Sequence, residues 1–204
     1  MKIGPKYKIA KRLGAPVFEK TQTQKFALSE SKKSKRQSKR RKQITDYGLR
    51  LIEKQKGRYS YALSERSFER LVRQAMKQKG KEIPDALFES LEKRLDSVLN
   101  RSGFGPTRLF CRQLISHGHI MVNDRKVTIP SYKLKVGDTV TIKPRSLEKG
   151  LFKNMEDESL TLSTVVSWLR VDPAKKSVTL KGDPIKEEVD LFFDINAVLE
   201  FYSR

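Results

Sequence analysis

Residues 94–142 read RLDSVLNRSGFGPTRLFCRQLISHGHIMVNDRKVTIPSYKLKVGDTVTI, and this stretch decides the fold. Its first half spaces apolar residues as a helix does, and its second half alternates apolar and polar residues as a strand does. Thr107 can cap the N-terminus of a short helix, and Gly118 can close its C-terminus in a left-handed conformation. The stretch therefore predicts an α+β module of two helices followed by three strands, with its core at 92–143.

The same stretch holds the only cysteine of the chain and both of its histidines, which raises the question of a metal or thiol site. A structural zinc site normally needs four ligands, and Cys111, His117 and His119 supply three at most. A catalytic thiol needs a base held by a third group, and the sequence announces none. We therefore expect a buried, structural Cys111, no metal and no cofactor. Metal binding and nucleophilic catalysis remain the weaker alternatives.

The net charge of the chain points to a polyanionic partner. Lys and Arg number 44 against 24 Asp and Glu, which gives +20 over 204 residues. Such an excess favours nucleic acid or an anionic membrane surface. No apolar run approaches the roughly 20 residues that span a bilayer, and the N-terminus lacks the apolar core of a signal peptide. A single cysteine indicates a reducing, cytosolic-type compartment.

The positive charge is concentrated in the first two-thirds of the chain. Residues 1–60 carry 19 basic and 4 acidic side chains, whereas residues 146–204 carry 8 and 11. SKKSKRQSKRRK (31–42) is basic at eight of its twelve positions. Residues 1–45 have no sustained apolar periodicity, so we predict a basic, irregular arm that orders on binding. A disordered solubility tail and a targeting signal are the alternatives.

Helical patterns follow the arm. In SERSFERLVRQAMKQKG, Ser64 is a good N-cap, and one apolar stripe lies opposite a basic side. The predicted stripe consists of Phe68, Leu71, Val72, Ala75 and Met76. A second helix is predicted from Pro84 to about residue 102. DINAVLEFYSR has apolar residues at helical spacing and predicts a terminal helix that docks on an earlier one. The predicted division is a helical domain at 46–90, completed by 190–204, and a second domain at 91–189.

Extended segments fill the second domain. SYKLKVGDTVTI (131–142) predicts a strand, a turn and a strand, and Lys126–Ile129 is predicted to be extended. WLRVD (168–172) and SVTLK (177–181) predict two further strands. Residues 146–160 are predicted to be helical.

The helix after Thr107 has the chemistry of a phosphate site. Arg108, Arg112 and Ser116 recur every four residues on a polar face. A helix N-terminus offers N–H groups and partial positive charge, and arginine adds bidentate phosphate contacts. Folded RNA is read largely through shape, phosphates and 2′-hydroxyls, which suits such a platform beside a small sheet. A solvated face on an unrelated α+β domain is the alternative.

In combination, the spacing of RLD, TR, GHIMVN, PS and VGD in residues 94–142 resembles the S4 RNA-binding domain. That domain also occurs in pseudouridine synthases, tyrosyl-tRNA synthetases and small heat-shock RNA binders. The flanking GPKYKIAKRLG, TDYGLRLIEKQKGRYSYALSERSF and DINAVLEFYSR are similar to the bacterial small-subunit ribosomal protein S4 family. The resemblance runs essentially from end to end. It implies an inserted α+β domain, with short helices on a small, mainly antiparallel sheet.

The resemblance implies a structural protein that binds 16S rRNA early in assembly, at a helix junction of the 5′ domain. It implies that Lys39–Lys42 lie near the channel through which mRNA enters the ribosome, beside the S3 and S5 proteins. Gln43 stands where a further basic residue often occurs, which weakens the case for mRNA contacts there. Four N-terminal zinc-binding cysteines of many members are absent here, so the chain resembles the cysteine-free form.

Two sets of residues are predicted to bind RNA. In the second domain they are Arg94, Arg101, Thr107, Arg108, Arg112, Gln113, Ser116, His117, His119, Asn123 and Arg125. In the arm and the helical domain they are Lys39, Arg40, Arg41, Lys42, Arg50, Lys54, Lys56 and Arg58. Replacing Arg108 and Arg112 together by Ala is predicted to weaken RNA binding without unfolding the chain.

Two other function classes fit parts of the sequence. An RNA-modifying enzyme that uses the same domain for targeting would need a separate catalytic domain, for which the sequence leaves no room, so no enzyme is expected. A nonspecific DNA-binding protein would follow from charge alone. The expected location is a bacterial cytoplasmic ribosome rather than an organelle ribosome, with no membrane contact and no obligate homo-oligomer.

Overall fold

The computed structural model describes residues 3–36, 44–147 and 166–203 and divides the chain into two compact units. Unit 1 contains Met1–Gln78 and Leu191–Arg204, and unit 2 contains Lys79–Asp190. Helices and an antiparallel sheet occur together, so the predicted α+β class is confirmed. The helices described are α1 (Lys6–Leu13), α2 (Gln24–Arg36), α3 (Asp46–Ser60), α4 (Glu65–Lys77), α5 (Ile83–Glu92), α6 (Leu95–Arg101), α7 (Arg108–Ser116), α8 (Pro144–Leu147) and α9 (Ile195–Tyr202). The strands described are β1 (Ile120–Val122), β2 (Arg125–Lys126), β3 (Thr139–Ile142), β4 (Leu169–Asp172) and β5 (Ser177–Leu180).

The N-terminal residues correct the prediction of an irregular arm, because α1 and α2 both form there. α1 ends at Gly14, whose φ of 66° is left-handed and whose N–H donates to the carbonyl of Ala10 at 2.9 Å. The few apolar residues of this segment gather in one small core, which offsets the entropy of ordering them. That core is made by Ala10, Leu13, Ala15, Val17, Phe18 and Phe26. Residues 37–43 of the predicted arm lie outside the described residues.

The rest of unit 1 is built from α3, α4 and α9. The predicted N-cap of α4 is confirmed, since the Ser64 hydroxyl accepts a hydrogen bond from the N–H of Ser67 at 3.3 Å. Of the predicted apolar stripe of α4, Phe68, Val72 and Ala75 are buried, while Leu71 and Met76 are partly buried. α9 packs along α3, and a Cβ at Gly57 would lie 3.0 Å from the ring of Phe193. Only glycine therefore allows the segment before α9 to approach α3 this closely.

The boundary between the units differs from the predicted one. Residues 79–90 were assigned by sequence to the helical domain, but they belong to unit 2. The reason is packing: α5 buries Phe88 and Leu91, and the ring of Phe88 meets the edge of Trp168 at a centroid distance of 6.2 Å. The apolar stripe of α5 thus contributes to the core of unit 2.

The single helix predicted from Pro84 to residue 102 is two helices, α5 and α6. The break lies at Lys93 and Arg94, where Arg94 is extended with ψ of 140°. The carbonyl of Lys93 accepts from the N–H of Leu134 at 2.9 Å, and Arg94 forms an isolated antiparallel bridge with Lys133. Backbone bonds to a distant segment thus interrupt a helix whose apolar spacing continues.

The described strands form one antiparallel sheet in the order β2-β1-β3-β5-β4. Strands were correctly predicted within 168–172 and 177–181, but the segment before Gly137 is not a strand of the sheet. It provides the bridge at Lys133 instead. Buried residues alternate with partly exposed ones along β1 and β3, whereas β5 buries Ser177, Val178 and Leu180. Fully or almost fully buried side chains of this core include Leu95, Leu99, Phe104, Cys111, Ile115, Ile120, Val140 and Val178.

α8 begins two residues before the predicted helix at 146–160, and residues 148–160 lie outside the described part. Within the ranges that the structure describes, no helix combines the length and apolar character needed to cross a bilayer.

Candidate nucleic-acid interface

α7 is held at both ends by the caps that its sequence predicts. The Thr107 hydroxyl accepts from the N–H of Phe110 at 3.1 Å. At the other end, the N–H of Gly118 donates to the carbonyl of Ile115 and that of His119 to Leu114, at 2.8 and 3.1 Å. Gly118 has a φ of 74°, as its predicted left-handed conformation requires. The apolar side of α7 is buried, so its arginines face a polar environment.

Asp96, in the first turn of α6, binds two arginines. Its carboxylate accepts from Nε and Nη2 of Arg112 at 2.9 and 2.7 Å. It also accepts from Nε and Nη2 of Arg94 at 3.0 and 2.9 Å. The Asp96 side chain is 1% exposed, whereas that of Arg112 is 21% exposed. The carboxylate is therefore the inner partner and Arg112 the outer one.

Glu92, the last residue of α5, repeats this arrangement with two other arginines. It accepts from Nε and Nη2 of Arg101 at 3.1 and 2.8 Å. Nη2 of Arg108 lies 3.7 Å from the same carboxylate. The Glu92 side chain is fully buried, and those of Arg101 and Arg108 are 26% and 13% exposed. We call Glu92 and Asp96 the carboxylate pair, and Arg94, Arg101, Arg108 and Arg112 the arginine cluster.

The arginine cluster brings together four of the residues that the sequence predicts to bind RNA. Four guanidinium groups surround the two carboxylates, and the three more exposed of them, Arg101, Arg108 and Arg112, belong to α6 and α7. Arg108→Ala with Arg112→Ala removes partners of two buried carboxylates, so we expect the double variant to be less stable than the unchanged chain. That it remains folded stays a prediction. The carboxylate pair itself was missed by sequence reasoning.

The helix-to-strand turn after α7 carries both histidines. Cys111 is fully buried, with its thiol 3.9 Å from the carbonyl of Gly105, so the prediction of a core cysteine is confirmed. His117 is exposed, and Nδ1 of His119 lies 2.9 Å from the hydroxyl of Ser146. Among the described residues, no group of three or more His, Cys, Asp or Glu side chains could hold a metal ion. Gln113 and Ser116 are exposed on α7 beside this turn.

The β1–β2 turn gives Asn123 a structural purpose. Asn123 and Asp124 have positive φ values of 47° and 61°, which Asn and Asp tolerate better than most residues. The side chain of Asn123 donates to Asp138 at 2.8 Å and accepts from the N–H of Thr139 at 2.9 Å. It therefore ties the turn to the next strand, and its RNA contact stays a prediction. Arg125 is exposed.

The predicted ligands in unit 1 form ion pairs with acidic residues of the same unit. The exposed fraction of the Lys54 side chain is 7%, and its ammonium donates to Glu65 at 2.6 Å and lies 4.8 Å from the centre of the Phe201 ring. This burial argues against Lys54 as an RNA ligand, and its RNA contact stays a prediction. The other three ion pairs are Arg50–Glu200 at 2.7 Å, Lys56–Glu53 at 2.6 Å and Arg58–Glu65 at 3.7 Å.

The structure does not describe Lys39, Arg40, Arg41 and Lys42, so their predicted role stays a prediction.

A basic face that the predicted set omits lies on α4, opposite its buried stripe. It lines a shallow cleft with Arg66, Ser67, Glu69, Arg70, Arg73, Gln74 and Lys77. The helical periodicity of the sequence separates this basic side from the apolar one.

Comparison with known proteins assigns both parts of the chain. Residues 1–92 match the family described as Ribosomal protein S4/S9 N-terminal domain, and residues 93–140 match the S4 domain. A "Small ribosomal subunit protein uS4" of Roseiflexus sp. (strain RS-1) is 41% identical over 202 residues, which cover 98% of each chain. The protein of the same name in Chloroflexus aurantiacus is 39% identical over 99% of this chain and 98% of its own. A "Small ribosomal subunit protein uS4B" of Clostridium acetobutylicum is 37% identical over 99% of this chain and 97% of its own.

Proposed function

Because the chain belongs to the uS4 family of ribosomal proteins, we propose that it is a structural component of the small ribosomal subunit that binds 16S rRNA. The observation that carries the proposal is the arginine cluster, which lies within or directly beside the region that matches the S4 domain. Guanidinium groups fixed on a rigid helical platform suit the phosphates of a folded RNA. The role is structural rather than catalytic, since the relatives match along almost the whole chain.

The finer parts of the proposal rest on the family resemblance. The chain binds early in assembly at a helix junction of the 5′ domain, and unit 2 is its main RNA-binding domain. Lys39–Lys42 lie near the channel through which mRNA enters, beside the S3 and S5 proteins. The chain acts in the cytoplasmic ribosome of a bacterium, binds no membrane and needs no cofactor.

The test is a binding series of the full chain against 16S 5′-domain RNA at several salt concentrations. Equal-length duplex DNA and an unrelated structured RNA serve as competitors. If roughly 6–10 phosphates are neutralised, affinity falls about 10³–10⁵-fold between 50 and 200 mM salt, on a duplex-DNA calibration. We expect the 5′-domain RNA to remain bound in the presence of both competitors. Equal competition by all three would leave only the net charge as an explanation and would overturn the proposal.

A further inference from the structure

The carboxylate pair is unusual because it lies beneath side chains that we propose to bind a polyanion. Each carboxylate carries a negative charge that opposes RNA, and each is at most 1% exposed. Burying a carboxylate costs desolvation free energy, and apolar residues of similar size often serve stability as well or better. Stability therefore gives a weak reason for two acidic residues at this place. Their bonds to the arginines give a stronger one.

We propose that Glu92 and Asp96 are positioning residues, which hold the more exposed members of the arginine cluster in the orientation that binds RNA phosphates. These members are Arg101, Arg108 and Arg112, whereas the side chain of Arg94 is only 7% exposed and helps to hold Asp96. The inference rests on the proposed function and deepens it. Neither carboxylate touches RNA; each acts through the arginines that surround it. Neither acid is among the residues that the sequence predicts to bind RNA.

Bidentate geometry supports this role. Arg94 and Arg101 each bind through Nε and Nη2 to both oxygens of one carboxylate, and Arg112 brings the same two nitrogens to one oxygen of Asp96. Two such bonds fix the plane of a guanidinium group, which a single bond to an ammonium does not do. Glu92 links α5 to α6 and α7, and Asp96 links α6 to α7. The two carboxylates therefore fix the positions of the arginines on α6 and α7 relative to one another.

Fixing these side chains before binding should raise affinity. A long side chain that is immobilised only on binding costs part of the binding free energy, and side chains already held do not. Releasing the two arginines of one carboxylate is expected to weaken RNA binding about five- to thirtyfold. Neutralising a carboxylate also raises the net charge by one. On charge alone, RNA binding would then stay the same or become tighter. The positioning role and the charge effect therefore predict changes in RNA affinity of opposite sign.

The experiment compares Glu92→Gln and Asp96→Asn with the unchanged full-length chain. Glu187→Gln is the matched control, because it removes the same charge from an exposed 3₁₀ turn of unit 2. Binding to 16S 5′-domain RNA is measured at one salt concentration, below the unfolding temperature of every variant. We expect weaker binding by about five- to thirtyfold for the first two variants and unchanged or slightly tighter binding for the control. Folded variants that bind as tightly as the unchanged chain would overturn the inference.

A second pair of variants decides the matter if the first two do not fold. Arg101→Lys keeps its charge but loses the planar two-nitrogen contact with Glu92. Arg170→Lys makes the same change at an exposed position of β4. We expect Arg101→Lys to weaken RNA binding about three- to tenfold and Arg170→Lys by less than about twofold. Equal effects would overturn the inference.

The failure of the inference and that of the proposed function are distinguishable. If the unchanged chain binds 5′-domain RNA no better than the unrelated RNA, the proposed function fails and the inference fails with it. If the unchanged chain is specific and the folded carboxylate variants are not weakened, the inference alone fails.

Discussion

Asp96 in unit 2 and Glu65 in unit 1 each bind two cationic side chains, but different partners lie at the surface. The Asp96 side chain is 1% exposed, while its partner Arg112 is 21% exposed. At Glu65 the order is reversed, since its side chain is 44% exposed and its partner Lys54 only 7%. Arg58 and the hydroxyl of Tyr202, at 3.7 and 2.8 Å, complete the group around Glu65.

This difference decides what each cluster offers to a polyanion. In unit 2 the negative charge is inside, and guanidinium groups reach solvent. In unit 1 the ammonium of Lys54 is inside, and the carboxylate is the solvated partner. Because both clusters contain residues that the sequence predicts to bind RNA, a count of basic residues does not separate a binding surface from an internal ion pair. What separates them is which partner of the ion pair, the cation or the carboxylate, is exposed to solvent.

The largest effect is expected from Asp96→Ala, which leaves Arg94 buried without this carboxylate. Removing one partner of a buried ion pair typically costs about 3–5 kcal/mol in the free energy of unfolding. Urea unfolding of unit 2 is followed by the fluorescence of Trp168, the only tryptophan of the chain, which is 3% exposed. Asp85→Ala, at a carboxylate that is 52% exposed, is the control and should cost below about 1 kcal/mol. Similar losses for the two variants would make the burial of Asp96 energetically irrelevant.

A smaller effect is expected from Lys54→Met. The apolar stem is kept, and Glu65 stays solvated with Arg58 and Tyr202 as neighbours, so unfolding free energy should fall by about 1 kcal/mol. Affinity for 5′-domain RNA should change by less than about twofold, because a buried ammonium adds little to the surface potential. Thermal unfolding by circular dichroism and the RNA titration give the two values. A loss of RNA affinity as large as that of Arg112→Ala would show that Lys54 contributes to RNA binding.

The smallest effect is a pH dependence that involves Glu65. Burial raises the pKa of Glu65, but hydrogen bonds from Lys54 and Tyr202 and the charges of Lys54 and Arg58 outweigh it, so this pKa lies below its ordinary value of 4.5. A depressed carboxylate pKa stabilises the folded state above pH 4.5, and this contribution is lost as the pH falls through the folded-state pKa. The difference in Tm between the unchanged chain and Glu65→Gln should therefore be constant near neutral pH and shrink below pH 4.5.

Glu69→Gln removes the same charge from the exposed side of α4 and is the control for this pH series. Its difference in Tm from the unchanged chain should be smaller near neutral pH than that of Glu65→Gln, because an exposed i,i+4 pair contributes little. Equal and parallel pH profiles for the two variants would show that the group around Glu65 adds nothing beyond a surface charge.

The ends of α4 and α7 were predicted correctly, because helix caps depend on residues that are close together in the sequence. Ser64 and Thr107 cap their helices, and Gly118 ends α7, as their positions in the sequence indicate. The break between α5 and α6 was missed because it depends on a hydrogen bond from Leu134 to Lys93, about forty residues away along the chain. Helical periodicity contains no information about such a partner.

The candidate site was predicted in its arginines and missed in its acids. Arg108 and Arg112 stand on a polar face that the period of α7 reveals. Asp96 lies sixteen residues before Arg112, on another helix, so no spacing rule connects them. The burial of Lys54 was missed for the same reason, because it depends on α9 and on Glu65 at the start of α4. Contacts between elements determine which charges remain at the surface.

The assignment of α9 to unit 1 has a consequence for the order in which the chain becomes able to fold. Synthesis proceeds from the N-terminus, so every residue of unit 2 is made before Leu191–Arg204 of unit 1. At about 5–20 residues per second, the last segment follows within roughly one to three seconds. During that interval the nascent chain already contains the whole sequence of unit 2, with the arginine cluster and the carboxylate pair. Unit 1, although its synthesis began first, is the last to be completed.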